Sequence, residues 1–209
     1  MNASNANLIS EVLTFWFASA LQSVEAARAR SKVWFANDPQ FDAEIARRFG
    51  DLPIKAAAGN FDSWMNTAES ALARVIVLDQ FPRNLYRGDP RAFAFDALAL
   101  AGSVSALERG FSTRLHPVQT VFILLPLEHA EDLSTQQRSV AQFEELRGRT
   151  PAGCESQFDG YLDYARRHRD VIQRFGRFPH RNAVLGRTST PEERAYLESG
   201  GEHFGAKPR

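Results

Sequence analysis

The sequence predicts an all-α protein, a stack of antiparallel helix hairpins with about eight to nine helices. Three observations support this fold class. Strand signals are scarce, and alternating β-branched runs bounded by Asn-Gly or Asp-Gly do not appear in the sequence, so strands are not expected. Apolar residues recur at helical spacing along most of the 209 residues. The segments between the predicted helices are mostly short, which favours antiparallel neighbours, and since no low-complexity linker divides the chain, residues 1–209 are predicted to form a single domain.

Start and stop signals place the helices of the first half. Apolar residues between Leu8 and Trp16 share one face, and a second helix follows Ser23. Asp38-Pro39 combines an N-cap with a proline at the first helical position, so it opens a third helix. Thr67 can cap a fourth helix, which is expected to end at Phe81, before Pro82.

The second half carries similar signals. Asp89-Pro90 predicts the start of a helix that ends near Gly110. An apolar helix is expected over 117–130, and Ser134 with Gln137 fits a capping box for the next one. A long helix over 156–175 and a capped helix that begins at Thr190-Pro191 complete the prediction.

The composition narrows the function classes. The 25 basic and 25 acidic side chains cancel, whereas a nucleic-acid-binding domain normally has a basic surplus. The longest near-apolar run, Val118–Leu127, is too short for a membrane span. Cys154 is the only cysteine, and the opening Met1–Asn5 does not have the pattern of a signal peptide. We therefore expect a cytoplasmic protein with neither nucleic-acid nor membrane partners.

One short motif occurs twice, each time after an apolar helical run. The copies are Phe81-Pro82-Arg83-Asn84 and Phe178-Pro179-His180-Arg181-Asn182. Each copy is predicted at a chain reversal, where it combines an aromatic anchor, a helix breaker, a guanidinium and an amide. The planar fork of arginine matches carboxylates and phosphates. The two motifs could converge on one anionic group, or each could tie down its own loop.

Ionisable residues also fall on apolar helix faces. Asp79 shares a face with Leu72, Val75 and Ile76, and Glu128 and His129 end the apolar helix 117–130. His168 falls in phase with a further set of largely apolar side chains: Tyr161, Tyr164, Ala165, Ile172 and Phe175. A buried charge costs several kcal/mol unless it is paired, so these groups need partners. The candidates are the cations and imidazoles near the second motif and Arg83, namely Arg83, Arg174, Arg177, His180 and Arg181.

Two interpretations of these residues remain open. They could be structural locks at helix ends, or they could line a polar pocket at one end of the bundle. In the second case His129, His168 and His180 are the candidates for acid–base catalysis. The candidate ligand-binding residues are Asp79, Arg83, Glu128, Arg177 and Arg181.

The sequence gives little support for other chemistry. The residues near Glu128, His129 and Asp132 lack persuasive metal-ligand spacing, so no metal is expected. Glycine-rich phosphate loops are absent, and so are the serine elbow and a cysteine beside a base. No cofactor is therefore predicted.

Several longer segments resemble a known family. They are Val12-Leu13-Thr14-Phe15-Trp16-Phe17, Leu78-Asp79-Gln80-Phe81-Pro82-Arg83-Asn84, Leu125-Pro126-Leu127-Glu128-His129-Ala130-Glu131-Asp132, Phe175-Gly176-Arg177-Phe178-Pro179-His180-Arg181-Asn182 and Leu185-Gly186-Arg187. Together they span most of the chain and resemble the bacterial "domain of unknown function 924" family. The resemblance implies a tetratricopeptide-like helical fold, and it brings no activity with it.

Two function classes fit these observations. In the first, the protein has a binding or enzymatic site for a small anionic metabolite, in a closed pocket with the arginines and histidines at its base. In the alternative, the helical stack is a scaffold for a peptide or partner protein, with an open groove lined by aromatics such as Trp16, Trp34 and Phe35. The oligomeric state is not determined by the sequence.

Overall fold

The structure, a computed structural model, describes residues 3–150 and 152–205. Met1 and Asn2, part of the segment compared with a signal peptide, lie outside the described residues. Within the described ranges the chain forms ten α-helices and no strand. They are α1 (Ala3–Phe17), α2 (Val24–Phe35), α3 (Pro39–Phe49), α4 (Leu52–Ala57), α5 (Ala68–Leu85), α6 (Asp96–Glu108), α7 (Pro117–Glu128), α8 (Leu133–Gly148), α9 (Glu155–Phe175) and α10 (Pro191–Glu198).

The all-α prediction is confirmed, and the count is close to the expected eight to nine. The additional element is the short helix α4, for which the sequence analysis gave no start signal. Pro53 stands in its first turn, where a missing N–H costs nothing because that donor would have no partner within the helix. The tetratricopeptide-like arrangement and the single-domain boundary stay predictions.

Helices α5 and α7 form the centre of the molecule. Helix α5 contacts α1, α3, α4, α6 and α7, and α7 contacts α5, α6, α8 and α9. Both helices are buried nearly all round, which is typical of a helix in the middle of a core. None of the helices within the described ranges combines the length and apolar character that a bilayer crossing requires.

The tryptophans near the N-terminus belong to an aromatic cluster beside α7. The ring of Phe122 lies 5.5 Å from that of Trp16 and 4.7 Å from that of Trp34, both edge-on. Trp16 and Trp34 are buried, whereas Phe35 is exposed. An open groove lined by these aromatics, which the scaffold alternative predicted, would require Trp16 and Trp34 at the surface, so that lining is not found.

The first Phe-Pro motif lies inside a helix, and the prediction that α5 ends before Pro82 is wrong. Helix α5 continues to Leu85, and the N–H of Tyr86 donates to the carbonyl of Pro82. A proline inside a helix costs about 3 kcal/mol, so compensating contacts are needed. Phe81 and Asn84 on either side of Pro82 are buried and supply such contacts. The second motif does form a turn, because Pro179–Arg181 is a 3₁₀ turn after α9.

Two predicted helix starts are also displaced. Asp89 caps the 3₁₀ turn Pro90–Phe93, and α6 begins only at Asp96. Helix α8 is capped by Asp132, whose Oδ2 accepts from the N–H of Thr135 at 2.7 Å, so the proposed Ser134 capping box is wrong. Asp132 and not Ser134 is the N-cap of α8, because a carboxylate is a stronger acceptor at a helix N-terminus than a hydroxyl.

The buried face of α9 is shifted slightly from the predicted one. It comprises Phe158, Leu162, Ala165, His168, Val171 and Ile172. His168 is buried as expected, but Tyr164, which was placed on the same face, is 44% exposed. The capping boxes at Thr67 and Thr190 are both formed; the first uses Ser70 as its reciprocal partner.

Replacing the cap of α8 should separate the two candidate caps. We expect Asp132→Ala to lower the free energy of unfolding by about 1 kcal/mol, because the first turn of α8 loses its acceptor. Ser134→Ala is the matched control and should change stability by only a few tenths of that amount. Urea denaturation of both variants measures this, and a larger loss for Ser134→Ala would contradict the assigned cap.

Candidate functional site

Asp79 is fully buried at the contact between α5 and α7. Its Oδ1 accepts from Nδ1 of His129 at 2.8 Å and lies 3.2 Å from Nη1 of Arg83. Its Oδ2 accepts from Nε2 of Gln80 at 2.6 Å. Burial alone would raise the pKa of Asp79, but the charge of Arg83 and the interactions with His129 and Gln80 outweigh it and hold the pKa well below its usual range. Asp79 is therefore a carboxylate.

The protonation of Asp79 determines which nitrogen of His129 carries hydrogen. A carboxylate only accepts, so Nδ1 of His129 is the N–H and Nε2 keeps its lone pair. Burial and the charge of Arg83 lower the pKa of His129, so the ring is neutral near pH 7. Among residues 3–150 and 152–205 we find no hydrogen-bond partner for Nε2. The result is a carboxylate–imidazole dyad with a free basic nitrogen.

Glu128, the residue before His129, is protonated, in contrast to Asp79. Burial raises its pKa to about 8, and the negative charge of Asp79 adds to the rise. Nδ1 of His168 lies 3.3 Å from Oε1 of Glu128 and donates to the carbonyl of Tyr164 at 2.9 Å. Burial also lowers the pKa of His168 well below its usual value. Glu128 and His168 therefore face each other as a carboxylic acid and a neutral imidazole.

The two motif arginines converge on one anionic group, Asp96 at the start of α6. Arg83 holds Asp96 in a two-pronged contact with distances of 2.8 and 3.0 Å. Nη1 of Arg181 lies 3.6 Å from the same carboxylate. Phe93 and Phe178 cover the guanidinium of Arg181, with ring centroids 4.8 and 4.4 Å from its central carbon. The convergence considered from the sequence is real, but the anion belongs to the protein itself.

The backbone at the end of α7 is held by two side chains. Nε2 of Gln136 donates to the carbonyls of Glu128 and Ala130 at 2.6 and 2.7 Å. Nη1 of Arg181 donates to the carbonyl of His129 at 3.1 Å. These bonds satisfy carbonyls that have no partner within a helix, and they fix the positions of Glu128 and His129.

His180 lies at the edge of the cluster and is less well satisfied. Its Nδ1 is buried without a hydrogen-bond partner within the described part of the chain, and so are the Nε atoms of Arg181 and Arg187. Burial, with the charge of Arg181, lowers the pKa of His180 to about 3. Such orphaned donors and acceptors in a folded protein call for a water or ligand partner.

Arg177 does not join the cluster. Its guanidinium donates to the carboxylate of Glu193 in α10 with distances of 2.6 and 2.8 Å, so it fastens α10 to the end of α9.

Sequence reasoning missed Glu131. Its carboxylate accepts from the N–H of Phe178 at 2.7 Å and from the guanidinium of Arg187 at 2.6 and 2.9 Å. The family-like segments contain Glu131 and Arg187, and their opposite charges were the available signal.

The arrangement is suited to proton transfer. Two carboxyl groups on neighbouring helices have pKa values pushed in opposite directions, a pattern that assigns one as a charged orienting group and the other as an acid. His129 follows Glu128 in the chain and is hydrogen-bonded to Asp79. In the described residues no group of three or more histidine, cysteine or acidic side chains is placed to hold a metal ion. Two surface depressions of about 240 and 340 Å³ lie beside α10 and α2, outside this cluster.

Fold and site together define an all-α protein built around a buried aspartate–histidine dyad. The chain belongs to the family described as bacterial protein of unknown function (DUF924), whose model matches residues 12–201. It is similar to a solved structure of a protein of unknown function, ATU0120 from Agrobacterium tumefaciens, with 39% identity, 93% of this chain and 99% of that chain covered, and a TM-score of 0.79. No functionally curated protein matches the chain significantly.

The opposite protonation of two nearby glutamates can be measured. Folded Glu128 keeps its proton up to about pH 8, whereas the unfolded group releases it near 4.5. Its contribution to stability therefore falls as pH rises from about 4.5 to 8. We expect Glu128→Gln to remove this loss and to raise the free energy of unfolding at pH 8 by on the order of 2–4 kcal/mol, with no gain below pH 4.5.

Glu131→Gln is the matched control for that measurement. Although burial opposes it, the bonds from Arg187 and the Phe178 N–H lower the pKa of Glu131, so this variant should lose stability at neutral pH. Denaturation over pH 4–9 compares the two variants. If Glu128→Gln also loses stability at pH 8, Glu128 is ionised and the proposed acid is absent.

Arg83 should be essential for folding. Removing it leaves two carboxylates with one fewer cation, so we expect Arg83→Met to cost about 3–5 kcal/mol. Arg91 makes a comparable two-pronged contact with Asp89, at 2.9 and 3.0 Å, but at the surface, so Arg91→Met should hardly move the denaturation midpoint. Equal midpoints for both variants would show that Arg83 is no structural lock.

Proposed function

We propose that the protein binds a small anionic metabolite at the end of α7 and that His129 transfers a proton to or from it. The observation that carries this proposal is the dyad: Asp79 fixes the Nδ1–H form of His129 and leaves Nε2 as a free base. Glu128 supplies a neutral acid on the adjacent residue. The combination allows a proton to be removed by one group and returned by the other.

The charge of the ligand is inferred from the second motif. Arg181 is buried, and its Nε lacks an acceptor within the described residues, as does that of Arg187. Burial and the charge of Arg83 lower the pKa of Arg181 to about 10, so it still carries its charge near pH 7. A carboxylate or phosphate is the natural partner for such donors. The single, buried thiol of Cys154 fits a reducing cytoplasm as the place of action.

Thermal denaturation with a panel of carboxylated and phosphorylated metabolites tests the proposal. A ligand at a hundred times its dissociation constant should stabilise the protein by roughly 2.7 kcal/mol. His129→Asn is the informative variant, because its amide N–H can still donate to Asp79 while the free base is lost. We expect any compound that raises the melting temperature of the wild type to be left chemically unchanged by this variant and to be converted by the wild type.

The helix itself offers a matched control. His116 caps the other end of α7, where its Nδ1 accepts from the N–H of Val118 at 3.2 Å. His116→Asn keeps a good N-cap, so binding and conversion should match the wild type. The proposal fails if no compound on the panel shifts the melting temperature, or if His129→Asn converts the compound as fast as His116→Asn does.

A further inference from the structure

Residues 200–205, hereafter the strap, follow α10 and turn back across α9. Two glycines make this turn possible. Gly200 has a φ of +87°, and a Cβ on Gly201 would come within 2.6 Å of Tyr196. The N–H of Gly201 donates to the carbonyl of Tyr196 at 2.9 Å, which tightens the reversal. The chain direction after α10 is thus set by positions that exclude side chains.

The strap is fastened by polar contacts at the surface. Arg167 of α9 holds Glu202 with distances of 2.7 and 2.6 Å, and the hydroxyl of Tyr196 accepts from the N–H of Glu202 at 2.9 Å. Nδ2 of Asn37 donates to the carbonyl of Gly205 at 3.4 Å. Partly exposed contacts of this kind hold a segment only weakly, so the strap can open without unfolding α9.

Phe204 is the part of the strap that enters the site. Its ring stacks on the imidazole of His168, with centroids 3.5 Å apart and planes inclined by 23°. The rings of Tyr164, Phe178 and His180 surround it at 6.2, 5.8 and 5.5 Å. Phe204 has a φ of +47°, which is strained for a residue with a side chain, so these ring contacts hold it in place.

We propose that the strap is a displaceable lid and that the flat space filled by Phe204 receives the planar ring of the ligand. This inference rests on the proposed function and names the class of its ligand: a small molecule with a flat, unsaturated ring and an acidic group. The ring takes the place of Phe204 against His168, and the acidic group meets the donors around His180 and Arg181.

The position of this space connects it to the proton-transfer groups. His168, on which Phe204 stacks, lies 3.3 Å from Glu128, and its ring centroid is 6.4 Å from that of His129. A ring stacked on His168 would therefore be linked to the acid and the base through this one imidazole. The aromatic side chain of the lid itself fills the stacking position on His168.

Labelling with diethyl pyrocarbonate tests the lid without any metabolite. This reagent acylates unprotonated imidazole nitrogens, and Nε2 of His168 is unprotonated because Nδ1 donates to Tyr164. Peptide mass spectrometry follows His168, with His116 as an internal reference. We expect Phe204→Ala to accelerate labelling of His168 at least tenfold over the wild type, because the stacked ring no longer covers it. Equal rates in the two proteins would overturn the lid.

Two substitutions of glutamates that pair with arginines of α9 separate the lid from a general loosening of the protein. Glu202→Gln breaks the pair with Arg167, so it should raise the labelling rate of His168 by up to about fivefold. Glu192→Gln is the matched control, because Glu192 of α10 pairs with Arg174 of α9 at 3.0 Å but is not part of the strap. An equal effect of both substitutions would contradict the proposal.

Two carboxylic acids of the same charge and similar size test the preference for a flat ring. In Phe204→Ala, benzoate should protect His168 from labelling severalfold more than cyclohexanecarboxylate does. Equal protection, or none, would overturn the planar ligand. Neither result depends on the metabolite panel. If Phe204→Ala accelerates the labelling of His168 but no metabolite shifts the melting temperature, the proposed function is refuted while the lid stands.

Discussion

A carboxylate without exposed surface lies at the centre of this molecule, and the geometry of the site follows from the need to stabilise it. Removing an ionised aspartate from water costs several kcal/mol unless donors replace the solvent. Asp79 receives them from Gln80 and Arg83 on its own helix and from His129 at the end of α7. Because the third donor comes from another helix, the register between α5 and α7 is fixed by the same contacts that orient the imidazole.

The charges around Asp79 alternate along a chain of contacts. After the neutral His129 come Asp79, Arg83, Asp96 and Arg181 in turn, so each charged group has a neighbour of opposite sign. Glu128 is outside this sequence and faces the neutral His168. A carboxyl group in the same buried region without a cation keeps its proton. The different states of two acids so close together therefore come from which of them reaches an arginine.

How well the sequence identified the site residues depended on whether their helix has one buried face or is buried on all sides. Helix α9 is amphipathic, so an imidazole in its apolar face was informative, and His168 is indeed buried. Helix α5 is buried nearly all round, so helical phase could not separate Asp79 from Gln80, which is buried too. Asp96 was not identified from the sequence because the predicted helix began at Asp89. That prediction placed Asp96 in the middle of a helix, whereas in the structure it begins α6 and meets both arginines.

The repeated motif shows what sequence reasoning can and cannot decide about arginines. The two forks do converge, as one alternative held, and they also tie down structure, as the other held, because the shared anion is Asp96. An arginine whose fork is already filled by a carboxylate of the chain has little left for a ligand. The groups that remain available to a ligand are the Nε atoms of Arg181 and Arg187 and the imidazoles that the arginines hold in position. The chemistry of the site is therefore to be sought at His129, which the arginines stabilise indirectly through Asp79, and not at the guanidinium groups that make the motif conspicuous.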